Sequence, residues 1–200
     1  MPHDEIAKLP IIEAVQWQIK TRTERRRLIR ERGENEAVPL VNRQAVQREI
    51  APVEAVARLP EGEATKPRQS VFKSMLHTLN HIYVIDRVFR AHLEGLEHGF
   101  KARNTETHPP LAELWRIQQE IDAWFVAWSD RLTDAALAEK VRFDFIGGGE
   151  GLMTRGEILL HVVNHTTYHR GFVADFFYQV PARPPTTDLT VFLRDARPDL

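Results

Sequence analysis

No cysteine occurs among the 200 residues. That excludes disulfides, thiolate metal ligands and a nucleophilic cysteine, so any thiol chemistry needs a thiol brought by a co-substrate. Long apolar runs are missing too: no stretch approaches the roughly 18 to 20 residues of a membrane span. The start, Met1-Pro2-His3-Asp4-Glu5, lacks the basic-then-apolar layout of a secretory signal. A cytoplasmic protein without a membrane partner is expected. A charge excess is also lacking, with 27 Lys and Arg against 28 Asp and Glu, so no global field draws the chain onto nucleic acid. The local exception is Lys20 to Arg32, with Arg22, Arg25, Arg26, Arg27 and Arg30. It reads as a solvated helix face partly balanced by Glu24 and Glu31, not as a nucleic-acid contact.

What is present is helical periodicity. From about Ser70 to Leu96, Val71, Met75, Leu79, Ile82, Ile85, Val88, Phe89, Leu93 and Leu96 recur mostly at threes and fours, the spacing of one helix face. Pro67 and Ser70 mark the start and Gly95 and Gly99 the end. A second helix is expected from Pro110, with Leu114, Ile117, Ile121, Trp124, Phe125, Trp128 and Leu132 buried and Glu113, Gln118, Gln119, Glu120 and Asp122 wet. Between Glu139 and Gly151 the period changes: Val141, Phe143 and Phe145 alternate with Arg142 and Asp144 before Gly147-Gly148-Gly149. This predicts a short strand or an extended crossover. A third helix opens at Thr154, which forms a capping box with Glu157, and runs to about Val180 before Pro181. The tail from Leu189 to Leu193 is expected to pack back on the helices.

The N-terminal part divides into an extension, residues 1–36, possessing a helical start at Ile11 to Ile19, and a main domain, residues 37–200. A further helix is expected between about Ala37 and Leu59, with Val46, Ile50, Val53, Val56 and Leu59 apolar, although Pro52 argues against an unbroken one.

Nine histidines matter only if they are arranged. At about 100° per residue, His161, His165 and His169 fall within about 80° of one another. His165 and His169 share a face with Ile158, Val162, Phe172 and Phe176, while Asn164, Thr167, Arg170 and Asp175 point elsewhere. His81 lies among Val84, Ile85 and Val88, with His77 one turn before it. Two inward imidazoles one turn apart, facing a third from another helix, suit a divalent metal. His77 and His161 sit at stripe edges and are read as groups beside the ligands or facing a substrate. Asp86 and Arg170, each projecting about 140° from a ligand histidine, are candidate partners.

Thr78-Leu79-Asn80-His81-Ile82, Asp86-Arg87-Val88-Phe89, His161-Val162-Val163-Asn164-His165-Thr166-Thr167-Tyr168-His169-Arg170-Gly171 and Thr187-Asp188-Leu189 together carry a resemblance. The chain resembles the DinB family over roughly Leu59 to Leu193. That resemblance implies an all-α, four-helix, up-down-down-up bundle, here with an irregular N-terminal extension and a short extended crossover before the last helix. It also implies the metal ligands His81, His165 and His169, the three that helical geometry selects. This chain has Phe172 where the second motif usually continues with glutamine.

One divalent ion per chain is therefore expected, zinc or nickel ahead of iron or manganese. Three neutral imidazoles leave an open coordination position, the mark of a reactive site. Families of similar architecture use low-molecular-weight thiols, so activation of a thiol co-substrate for transfer to a small molecule is the leading function. Metal-dependent hydrolysis and non-catalytic metal binding are the alternatives; no catalytic residue is assigned. Leu159, Val163 and Phe177, with Met75 and Leu79, form an apolar surplus off the inward stripes, from which a homodimer is expected.

Overall fold

The structure is a computed structural model that describes residues 52–186 together with positions 188, 190 and 191. All of these belong to the compact unit Val41–Leu200. The expectations for residues 1–36, for the arginine-rich segment, for Val46 and Ile50, and for most of the tail fall outside the described residues.

The described part is mostly helical with one small sheet. A helical segment at 52–57 leads to α1 (Met75–Glu94), α2 (Leu111–Ser129), the single turn α3 (Asp134–Leu137), the hairpin β1 (Lys140–Asp144) and β2 (Glu150–Thr154), and α4 (Arg155–Phe177). α1 is central, packing against both α2 and α4. Its N-terminal half is buried nearly all round, with Met75, Leu76, Leu79, Ile82 and Val84 in the core. Val53 and Val56 from the first segment, Ile121 and Phe125 from α2, and Ile158, Val173, Phe176 and Phe177 from α4 complete it.

The helix ends follow from local chemistry. α1 starts at Met75 and not near Ser70, because the Ser74 hydroxyl accepts from the His77 N–H and caps the first turn. Val71, expected in the apolar stripe, consequently lies outside the helix and is 82% exposed. At the other end Gly95 adopts φ 70° and its N–H reaches back to the Ala91 and His92 carbonyls, a left-handed cap that favours glycine. α4 begins with the predicted capping box: the Glu157 N–H donates to Thr154 Oγ1 at 3.2 Å, and the Thr154 N–H to Glu157 Oε2 at 2.8 Å. It ends at Phe177, three residues short of Val180.

The extended crossover is a hairpin. β1 pairs antiparallel with β2 and places Phe143 opposite Gly151. The Phe143 ring lies over that glycine so closely that a Cβ there would overlap it, which is why the second strand lacks a side chain at this point.

Three expectations about burial need correction. Gln118 and Asp122, assigned to the wet side of α2, are buried, as is Arg170 on α4. The reason is a polar network inside the helix interface: Gln118 Nε2 donates to Asp86 Oδ2 at 2.9 Å and to Asp122 Oδ1 at 2.8 Å. Hydrophobic periodicity cannot register a polar residue that is buried because it has buried polar partners. The apolar surplus is likewise smaller than expected, since Met75, Leu79 and Phe177 are covered within the single chain, leaving Leu159 and Val163 half-buried.

Arg170→Met should lower the unfolding free energy by about 2 kcal/mol in a urea titration, because it removes a buried charged donor bonded to Thr167 Oγ1. Tyr178→Ser, at a residue 78% exposed, should change it by less than about 0.5 kcal/mol.

Candidate metal centre

His81 from α1 and His165 and His169 from α4 meet between the two helices. Their candidate ligand atoms all lie within 4.8 Å of one another, and the group contains no carboxylate. The rings of His165 and His169 are 4.3 Å apart, and His81 is 4.6 Å from His169 and 5.1 Å from His165. His81 Nε2 and His165 Nε2 face each other at 3.2 Å.

The orientation of His81 is set from outside the triad. Its Nδ1 lies 2.8 Å from the Arg103 carbonyl. A carbonyl only accepts, so Nδ1 carries the proton and Nε2 of the neutral ring is left with its lone pair toward His165. The 96–110 segment that supplies this carbonyl is held by Asn80. Asn80 Oδ1 accepts from Asn104 Nδ2 at 3.2 Å, from the Thr105 N–H at 2.9 Å and from Thr105 Oγ1 at 3.1 Å. Asn104 Nδ2 also donates to the His77 carbonyl at 2.7 Å.

All three imidazoles are poor bases. Burial, reinforced by His169, His81 and His161, pushes His165 down to about 3. Burial and then His81 push His169 down to about 4. Burial lowers His81 as well, against the raising effect of the Arg103 carbonyl. Near neutral pH the triad is therefore deprotonated, as a ligand set must be. His165 Nδ1 and His169 Nδ1 are also buried with no hydrogen-bond partner, a condition costing roughly 1–3 kcal/mol per group. Donor type, spacing and protonation state all fit a divalent ion.

The other histidines stand apart from this group. His77 Nδ1 lies 3.2 Å from His108 Nε2. The His161 ring packs at 4.6 Å on Phe89 and at 5.5 Å from His165. Two contributors escaped the sequence reading. Phe72 lies in the turn before α1, its ring 4.6 Å from His169 and 5.6 Å from His81. Arg103 acts through its backbone, which no side-chain pattern announces. Asn80 did carry a signal, standing immediately before His81 in the motif.

These features define a mostly helical protein with a buried three-histidine site suited to a metal ion. The chain belongs to the DinB family, which matches residues 42–200. It is similar to "Protein DinB" of Bacillus subtilis (strain 168), at 29% identity over 136 residues, covering 62% of this chain and 75% of that one. Among the described residues, no helix is long and apolar enough to cross a membrane.

His81→Ala and His165→Ala should each abolish tight zinc or nickel binding in titration calorimetry, whereas His3→Ala, His98→Ala and His108→Ala should not. His161→Ala should leave most of the metal bound. If it strips the ion as completely as His165→Ala, the ligand assignment within α4 is wrong.

The low basicity also fixes an acid response. An unfolded imidazole takes up its proton near 6.5, while folded His165 and His169 resist until about 3 and about 4. Between these values the unfolded chain binds more protons, so metal-free stability is complete above about pH 6.5 and falls as pH drops. The urea midpoint in chelator should be lower at about pH 5 than at about pH 7.5. His165→Phe should narrow that difference.

Proposed function

We propose that this protein uses His81, His165 and His169 to hold one divalent ion, zinc or nickel, and there activates a low-molecular-weight thiol for transfer to a small molecule. The observation carrying this reading is a ligand group of three neutral imidazoles with no carboxylate in it. Such a set leaves the full charge of the ion uncompensated and a coordination position open. A divalent ion held there would supply the positive charge that favours the thiolate form of a co-substrate thiol near pH 7.

The chain's own residues prepare that position. Asn80 and the Arg103 carbonyl fix the His81 tautomer, and burial keeps His165 and His169 unprotonated. The chain has no cysteine, so the sulfur must come from outside. Metal-dependent hydrolysis is the second reading, because the same open position would hold a water whose pKa the ion lowers. The proposed architecture is the four-helix up-down-down-up bundle. The segment 52–57, which contributes Val53 and Val56 to the core, is where its first helix would end.

Cobalt(II)-loaded protein titrated with 2-mercaptoethanol should develop a saturable sulfur-to-cobalt absorption band, absent from His165→Ala. Tight cobalt binding without any such band would overturn the thiol reading in favour of non-catalytic metal holding.

A further inference from the structure

Three aromatic side chains surround one side of the triad, and the metal reading does not use them. Phe72 approaches from the turn before α1. Tyr168 and Phe172 come from α4, on either side of His169 in sequence. The Phe72 ring stands edge-on to His169 at 4.6 Å and 86°, and lies 4.7 Å from Phe172. Tyr168 is 5.1 Å from both His169 and Phe172, at 81° and 75°. Phe172 therefore touches both other rings, and Phe72 and Tyr168 each stand edge-on to His169.

Packing alone does not account for them. Tyr168 is 62% exposed, although it stands beside a buried imidazole, and Phe72 and Phe172 are only half-buried. Large rings left open to solvent beside a polar centre are a common make-up of small-molecule sites, where apolar walls surround a few polar groups. Two cationic residues belong to the adjoining segments: Arg103, whose carbonyl lies 2.8 Å from His81 Nδ1, and Lys73, next to Phe72 in sequence.

We infer that Phe72, Tyr168 and Phe172 form an aromatic rim that selects, beside the triad, small anionic ligands carrying a planar apolar group. The anionic head faces the cationic centre, and the planar group lies against the three rings. The inference rests on the triad holding a metal ion, and it extends that reading from a reactive head group to the body of the substrate. It does not depend on the head being sulfur.

The test measures affinity by calorimetry on the zinc-loaded full chain, with two matched pairs of probes: phenylmethanethiol against ethanethiol, and phenylacetate against acetate. The aromatic member of a pair should bind roughly tenfold more tightly, and loss of one ring should remove roughly two- to tenfold of that preference. Tyr168→Ser and Phe172→Gln remove rings, and zinc content is measured in each. Tyr168 is exposed, so Tyr168→Ser decides the matter if Phe172→Gln fails to fold or loses zinc. A preference in either pair that shrinks in Tyr168→Ser supports the rim. Should only the carboxylates bind, with that same dependence on Tyr168, the rim stands and the thiol reading falls. Binding without a preference, a preference unchanged by Tyr168→Ser, or no binding of any probe would overturn the inference.

Discussion

A neutral imidazole buried between helices presents two different nitrogens, and something must decide which one bears the proton. At His81 the Arg103 carbonyl decides it, at 2.8 Å from Nδ1. The rest of the centre depends on this bond, because it turns Nε2 and its lone pair toward His165. The decision is then passed back into the fold. Arg103 lies in a segment without regular structure, and such a carbonyl is only as fixed as the chain around it. Asn80, fully buried on α1, takes three hydrogen bonds from Asn104 and Thr105 on one oxygen. The residue preceding His81 in sequence thus secures the loop that orients His81.

The two helices that carry the triad need a fixed register, since a shift of about one residue, 1.5 Å along the axis, would separate His81 from its partners. Apolar packing alone tolerates small slides, because one methyl contact replaces another at little cost. The polar network beside the core resists sliding of α1 against α2. Gln118 on α2 bonds Asp86 on α1 and Asp122 on its own helix, and each bond has a narrow range of distance and angle. Arg170 is buried on α4, next to His169 in sequence, and donates to Thr167 Oγ1 at 2.7 Å. Buried polar groups of this kind add little net stability but penalise every alternative alignment that leaves them unpaired.

Sequence periodicity reached the triad because its residues obey the same rule as leucine: His165 and His169 share a face with Ile158, Val162 and Phe176, and a face can be counted. The capping box at Thr154 was legible for a similar reason, being a local pattern with a local cause. What could not be counted was burial driven by partners. Gln118, Asp122 and Arg170 resemble surface residues until their neighbours are known, and the Asp86 that accepts from Gln118 lies on another helix. Val71 shows the opposite failure. It fits the apolar stripe of α1 by spacing, but the Ser74 cap starts the helix after it. The Arg103 carbonyl was beyond reach altogether, since a backbone acceptor has the same appearance at every residue.

The aromatic rim belongs with the features that only three dimensions reveal, yet one of its members stood out in sequence as a departure. Phe172 occupies the place where the family motif usually carries a glutamine. A glutamine there would offer a donor and an acceptor beside His169; a phenyl ring offers neither. Phe172 instead touches Tyr168, one turn earlier on α4, and Phe72 from the turn before α1. A single ring would be a substitution in an otherwise ordinary site. Three rings around the same histidine, joined through Phe172, amount to a different surface, one that keeps the histidine triad and alters what lies beside it.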